Sequence, residues 1–414
     1  MIRSQKIKLI LNNKQISFIE KSFGVKRFTY NYILENFKNN KEKTFDLYKL
    51  KKEFNHNKKE KYPFTYEVSK YVSQEPFIDF KDTLNKYFEN RKNKKHVELR
   101  YKSKKDNYQS FYIGGDQIKI VHKEGKDKDY LKLPKMAPIK LTEHIRFNGH
   151  ISGLRIVRMF NKYYASISIN ISNIPKKEPI SNEVIGIDLG IKNHITLSNG
   201  LLINYPSSIY KIVKRIKIEQ KKLSRKVHPR TKGDPKVFSS NYMKNKLKID
   251  ILYEKMRNIM IDYERKVAKI LVSFYSFISM EDLNVINMKK DRYIARNLQH
   301  ISFYRLKTFM KNKEGEYLSS LNIIDRFYPS SKKCSKCGNI KQNLSLFERI
   351  YKCEECGLII DRDINAAINL KNNVGRVTSE FKPLDLAILI KAFIRSHIDI
   401  SKIEEGRQQK IYTW

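Results

Sequence analysis

The sequence predicts an α+β, multidomain chain in which a helical region and a short-stranded β region precede an α/β domain that carries a small metal module. Three observations predict it. Apolar residues recur at helical spacing over 16–37 and again over 75–91. Between 96 and 175 the pattern changes to short apolar runs separated by Gly, Pro and charged turns. From 184 onward, apolar segments that end in acidic residues flank a long helical stripe and lead into two closely spaced cysteine pairs.

The chain has 414 residues, with 84 Lys plus Arg against 43 Asp plus Glu, a net charge of +41. That length suggests two or three domains. A hydrophobic fraction of 40% and an aromatic fraction of 12% fit folded protein and argue against a disordered basic tail as the source of the charge. A folded surface so basic repels itself until a polyanion neutralises it, and the counterions released from phosphate backbones favour that pairing. Nucleic acid is therefore the expected partner, with anionic lipid as the ordinary rival. No apolar run reaches spanning length, and Arg3, Lys6 and Lys8 interrupt the opening MIRSQKIKLIL, unlike a signal peptide. A cytosolic location and no membrane contact are expected.

In chain order, Ile7 to Leu11 predict a first strand. Ile16, Ile19, Phe23, Phe28, Ile33 and Phe37 then predict helix. The lysine-rich stretch from Lys38 to Lys61 reads as polar connection ended by Pro63, and Phe77, Phe80, Leu84 and Phe88 place one face of a second helix over 75–91. SFYIGG, IKIV, YLKLP, GLRIV and YYASISINI predict short strands of a barrel or sandwich. In the last of these, Tyr163, Ala165, Ile167 and Ile169 share a side. RYKSKKDNYQSFY offers Arg100, Lys102, Lys104 and Lys105 to phosphates and Tyr101, Tyr108 and Phe111 for stacking, although for any one aromatic a core position is the commoner role.

VIGIDLGIKNHITLSNG then reads as strand, polar turn and strand. The basic region from Tyr210 to Ser273 predicts a helical pair broken at HPRTKGDP. Its apolar stripe comprises Leu252, Met256, Ile259, Met260, Tyr263, Val267, Ile270 and Leu271. FYSFISMEDLNVINM and NIIDRFYP supply two more strands.

All 4 cysteines lie in one stretch, as C-x2-C-x15-C-x2-C at Cys334, Cys337, Cys353 and Cys356. Each pair can form a tight knuckle and the intervening segment a hairpin, so the spacing predicts a four-thiolate Zn²⁺ ribbon. Four thiolates close the tetrahedron, which makes that metal structural. Gly338 and Gly357 follow the second cysteine of each pair, where a tight turn is needed.

Asp188, Glu281 and Asp363 each sit at the end of an apolar segment. A carboxylate there is costly without water, a hydrogen bond or a cation, and three together suggest a shared Mg²⁺ site, although helix capping is the ordinary role of an acid such as Asp363. Oxygen ligands suit Mg²⁺ or Mn²⁺. Two such ions about 3.5 to 4 Å apart would promote in-line attack of water on a phosphodiester. None of the 9 histidines forms a metal motif in the sequence.

With these residues on the page, the chain resembles the TnpB (OrfB) family of transposon-encoded, RNA-guided DNA endonucleases, relatives of the compact type V CRISPR effectors. GIDLGIKN, SSNYMKNKLK, MEDLNV, DRFYPSSKKCSKCG, YKCEECG and DRDINAAINL carry the resemblance in order over most of 184–372. GVKRFTYNYIL, KLPKMAPIKL and GHISGLRIVRMFNKYYASISI are weaker signatures, and beyond 373 only GRVTSEFKP matches.

The resemblance implies an RNase H-like (RuvC) α/β nuclease domain over 179–333 and 357–373, with the zinc ribbon, 334–356, inserted. It also implies a wedge strand at 1–11, a helical recognition domain at 12–94, a wedge β-barrel at 95–178 and a tail at 374–414. By the same resemblance Asp188, Glu281 and Asp363 are the catalytic, magnesium-binding acids, with Asp361 as the alternative in the last motif. Guide RNA and double-stranded DNA are the implied partners, and cleavage next to a short target-adjacent motif the implied reaction. The competing functions are a nuclease-inactive RNA-guided repressor, which would be expected to lose an acid, and a DNA strand-transfer transposase, which would need an end-binding motif.

Overall fold

A computed structural model describes residues 1–373 except 41–43, 123–127, 161, 173–174, 192, 232–233, 236, 284–302 and 346–347. The sequence motifs GRVTSEFKP and LDLAILIKAFI, and the last residues of FYSFISMEDLNVINM, fall outside the described residues. The chain divides into two units, Met1–Ile174 and Pro175–Trp414.

In the first unit, β1 (Ile2–Lys8) starts five residues earlier than the sequence reading placed it. Its lysines did not break the strand because Lys6 and Lys8 alternate outward while Gln5 and Ile7 turn inward. Helix α1 (Asn13–Asn39) opens with a capping box in which the Asn12 side chain accepts from the Gln15 backbone and Gln15 reaches back to the Asn12 N–H.

The lysine-rich stretch contains a helix that was not anticipated, α2 (Leu47–Lys61), capped by Asp46. Only Leu50 and Phe54, one turn apart, are buried, too faint an apolar signal among so many lysines. Helix α3 (Lys70–Lys92) starts at the Ser69 cap, earlier than expected, and carries Pro76 in its second turn. Phe77 and Phe80 are buried, whereas Phe88 is exposed, so the apolar face stops short of the helix end.

Strands β2 (Tyr108–Gly114), β6 (His150–Met159) and β7 (Lys162–Asn170) join β1 in an antiparallel sheet of order β1-β7-β6-β2. Strands β3 (Lys119–Val121), β4 (Tyr130–Lys132) and β5 (Ile139–Lys140) form a smaller antiparallel sheet. Ala165, Ile167 and Ile169 turn inward as their alternation predicts, and they share one core with Ile113, Leu131 and Ile139 of the other strands.

The second unit is built on a five-stranded sheet of order β10-β9-β8-β11-β12. Its strands are β8 (Ser181–Leu189), β9 (Ile195–Leu197), β10 (Leu202–Ile203), β11 (Tyr275–Glu281) and β12 (Ser320–Ile324). β8, β9 and β10 are antiparallel neighbours, and β8, β11 and β12 run parallel. The expected helical pair is α4 (Ser207–Ser224) and α5 (Ser240–Phe274), packed through Ile209, Ile212, Ile216, Met256 and Met260. The carboxyl-terminal half of α5 covers the sheet with Tyr263, Val267 and Leu271, beside α6 (Phe303–Lys313). A two-stranded hairpin, β13 (Ile350–Lys352) and β14 (Ile359–Asp361), leads directly into α7 (Arg362–Asn372).

Candidate functional site

Parallel pairing sets two of the three acids side by side. Ile187 of β8 pairs with Met280 of β11, so the next residues, Asp188 and Glu281, emerge at the same level, at the carboxyl ends of adjacent parallel strands. That end of an open α/β sheet is where ligands characteristically bind.

The third acid arrives on α7. Asp361 caps this helix, its Oδ1 accepting from the N–H groups of Asp363 at 3.0 Å and Ile364 at 3.3 Å. The capping role therefore belongs to Asp361, and Asp363 occupies the first turn. Helix α7 can lie against β8 because Gly186 has no side chain. A Cβ there would stand 1.9 Å from the Ala367 carbonyl oxygen and 2.6 Å from the Lys371 nitrogen. Ala366 and Ala367 are fully buried on the facing side. Gly186→Ala is accordingly expected to destabilise the protein by about 1–3 kcal/mol through overpacking. A urea unfolding midpoint identical to that of the wild type would contradict this contact.

The electrostatics show how close the acids come. Burial, then Asp363, then Glu281 raise the Asp188 carboxyl from its ordinary value of 3.8 to about 8. Burial also raises Glu281, against the Ser330 hydroxyl, which donates to its Oε2 at 3.1 Å. Neighbouring Asp282 goes the other way. Lys307 Nζ at 2.5 Å, with Arg326 at 3.0 Å, holds it below the usual carboxylate range. Two adjacent acids thus differ sharply: Asp282 is held charged by its cations and adds to the rise of Glu281, which in turn acts on Asp188. The three acids are coupled but not drawn into a tight cage. Among the described residues, only two groups hold three or more ligand atoms within 4.8 Å of one another: the four cysteines, and His122 with Asp129 and His144.

The cysteines form two matching knuckles. Gly338 N–H donates to the Cys334 carbonyl at 3.0 Å and Gly357 N–H to that of Cys353 at 3.2 Å, with φ of +81° and +68° at the two glycines. Both lie in the left-handed region that glycine tolerates best. The Sγ atoms of Cys334 and Cys356 are 3.6 Å apart, and those of Cys337 and Cys353 are 3.5 Å apart. A zinc tetrathiolate with bonds near 2.3 Å separates its sulfurs by about 3.7 Å, so the four thiols fit a structural Zn²⁺.

Sequence reasoning missed the ties between this module and the acids. Asn365 donates to the Lys333 carbonyl at 2.7 Å and accepts from the Ser335 N–H at 3.0 Å. Asn369 donates to the carbonyls of Ser330 at 2.8 Å and Lys333 at 2.6 Å. Both asparagines are buried on α7. Two amides one turn apart within the apolar face of DRDINAAINL were the signal for them.

Of the proposed stacking residues, Phe111 is core, packed edge-on against Phe23 at 5.2 Å. Tyr101 and Tyr108 are exposed, and Lys38 Nζ lies 4.3 Å from the Tyr101 ring centroid.

Three family models match the chain: "Probable transposase" over 166–292, "Cas12f1-like, TNB domain" over 303–370 and "Helix-turn-helix domain" over 1–44. A "Putative RNA-guided DNA endonuclease" of Streptomyces pristinaespiralis is 32% identical over 192 residues, 46% of this chain and 45% of that protein. The "Putative RNA-guided DNA endonuclease InsQ" of Escherichia coli K12 is 24% identical over 253 residues, 58% of this chain and 60% of that protein. The alignments thus span about half of each curated relative's length. Among solved structures, the protein in the cryo-EM structure of a Cas12f1–sgRNA–target DNA complex matches with a TM-score of 0.52. The match covers 90% of this chain and 99% of that one at 15% identity, a shared fold. Among the described residues, no helix is long and apolar enough to cross a membrane.

Proposed function

The chain belongs to the TnpB (OrfB) family, and on that premise we propose that it is an RNA-guided endonuclease that cleaves double-stranded DNA by metal-dependent phosphodiester hydrolysis. The observation that carries this reading is the parallel register of β8 and β11, which sets Asp188 and Glu281 at one level at the carboxyl ends of their strands, with Asp363 near enough to act on Asp188. Its sheet, three antiparallel strands continued by two parallel ones, supports an RNase H-like (RuvC) assignment, with the four-cysteine module inserted before α7. The antiparallel sheets of the first unit would then be the wedge, and α1 to α3 the recognition helices.

Asp188, Glu281 and Asp363 would hold Mg²⁺ or Mn²⁺, whose oxygen-ligand preference matches three carboxylates. Bound there, the ions supply Lewis acidity to both the attacking and the leaving oxygen of the phosphodiester. The chain's own part is positional. β8 and β11 fix two carboxylates at one level, and α7 brings the third. Ser330 steadies Glu281, and Lys307 with Arg326 keeps Asp282 out of the competition for cations. A guide RNA and a duplex are the polyanions that a charge of +41 favours.

Ion binding must displace a proton from Asp188, because that carboxyl is neutral below about 8. Mg²⁺ affinity is therefore expected to rise about tenfold per pH unit from neutrality to about 8, then level off. Calorimetric titration with Mg²⁺ across this range checks it, and a flat affinity would remove Asp188 from the ligand set. For the activity itself, purified ribonucleoprotein with Mg²⁺ should cut a duplex matched to its co-purifying RNA. Binding that leaves every strand intact would overturn the endonuclease reading.

A further inference from the structure

We propose that the first unit carries a second metal site, in which His122, Asp129 and His144 bind a first-row divalent ion, Zn²⁺ above all. The three residues are far apart in any periodic sense, and the small sheet gathers them. Val121, the last residue of β3, pairs with Tyr130, the first of β4, and Tyr130 pairs with Lys140, the last of β5. All three strands therefore stop at one level. His122 follows β3, Asp129 precedes β4 and His144 lies just past β5, so the ligands collect at a single end of the sheet.

The geometry is that of converging donors. Nδ1 of His122 is 2.6 Å and Nδ1 of His144 is 3.1 Å from the same oxygen, Oδ1 of Asp129. Bonds of about 2.0 Å to a tetrahedral ion would put these atoms about 3.3 Å apart, so seating an ion requires each ring nitrogen to move from the carboxylate oxygen by less than 1 Å. The rings can do so because their side chains are 79% and 60% exposed, while the Asp129 side chain is 1% exposed and fixed.

The carboxylate is also aimed. Its other oxygen, Oδ2, accepts from the Ile145 N–H at 3.0 Å, which leaves Oδ1 facing the rings. The backbone beside His144 is braced in turn by Gln5, buried in β1. Gln5 donates to the His144 carbonyl at 2.9 Å and accepts from the Arg146 N–H at 2.8 Å. Such outer contacts orient metal ligands in known sites. Two imidazoles and one carboxylate are borderline donors suited to Zn²⁺ and its neighbours in the first row, unlike the all-carboxylate Mg²⁺ site or the all-thiolate ribbon. Three protein ligands leave the fourth position to water on the exposed side, and the ion ties the ends of β3 and β5 to β4. The ordinary alternative is that both rings simply donate Nδ1–H to Asp129.

Metal content and Co²⁺ spectra of the full chain distinguish the two. Wild-type protein equilibrated with micromolar free zinc is expected to hold two ions per chain, falling to one in the His122→Ala/His144→Ala double variant. With Co²⁺, the double variant should keep the thiolate charge-transfer absorption of the ribbon and lose the ligand-field bands of a nitrogen–oxygen site. The retained thiolate band reports that the variant is folded. Wild-type saturation at one ion, or an unchanged stoichiometry and spectrum in the double variant, would overturn the site. His122→Ala alone, whose ring is largely solvent-exposed, should weaken the second ion at least tenfold in a competition with a chromophoric chelator. Equal affinity in wild type and variant would count against it.

Discussion

Asp188→Ala should reduce cleavage of a matched duplex by about 10³-fold or more while guided binding persists. Of the three acids, Asp188 is the one that both others act on, and it stands on the central strand of the sheet. Removing it leaves Glu281 and Asp363 with no carboxylate between them to share a cation, so the loss should appear in the chemical step. Single-turnover cleavage set against duplex affinity separates the two effects. Retained cutting would break the assignment, and a parallel loss of binding would point to a structural role instead.

The same residue gives a stability signature of opposite sign. An acid whose carboxyl is raised in the folded chain keeps a proton that the unfolded chain has already released. Between about 4 and about 8 the unfolded state therefore binds fewer protons, and the contribution of Asp188 to stability falls as pH rises through that window. Asp188→Asn removes this penalty. Without divalent ions, the variant should be more stable than wild type by about 1–2 kcal/mol near pH 8 and nearly equal to it near pH 4. The gain falls well short of the full shift because Asp188 is not fully buried as a residue. Mg²⁺ should narrow the gap by stabilising the wild type alone. Denaturant titrations at the two pH values, with and without Mg²⁺, measure all four quantities.

The parts of this protein that were legible in its sequence are those written in local patterns. The strand-turn-strand of VIGIDLGIKNHITL, the stripe from Leu252 to Leu271 and the paired cysteines each depend on spacing alone. What stayed hidden depends on partners distant in the chain. Leu50 and Phe54 are too few to announce α2 until α1 and α3 provide a surface to bury them. Gly186 looked like one more small residue in an apolar run, and its function appears only when the Ala367 backbone arrives from α7. The histidines showed no motif because the register of three short strands, and no fixed spacing, brings His122 and His144 to Asp129. Resemblance alone ranks Asp363 above Asp361, since spacing does not separate them. The hydrogen bonds from the Asp363 and Ile364 amides separate the capping acid from its neighbour.

Cys334→Ser and Cys353→Ser should each lower zinc content and, with it, cleavage, even though neither cysteine is proposed to touch DNA or Mg²⁺. The reason is the wiring between the knuckles and the acids. The first knuckle is held to α7 by Asn365 and Asn369, and Ser330, just before it, donates to Glu281. The second knuckle joins β13 to β14, and β14 ends in Asp361, which starts the helix that carries Asp363. A ribbon without metal thus loosens both the second and the third acid. Thiolate-bound zinc supplies about 10–16 kcal/mol of apparent binding energy in small ribbon-like modules, so losing one thiolate should unfold the module locally. Cleavage should fall by about 10²-fold or more and should not recover with excess Mg²⁺, because the missing term is position rather than charge. Asn365→Ala, which leaves all four thiolates in place, should retain zinc yet lose part of the cleavage. Full zinc loading together with full cleavage in the cysteine variants would separate the ribbon from the acids and remove this coupling.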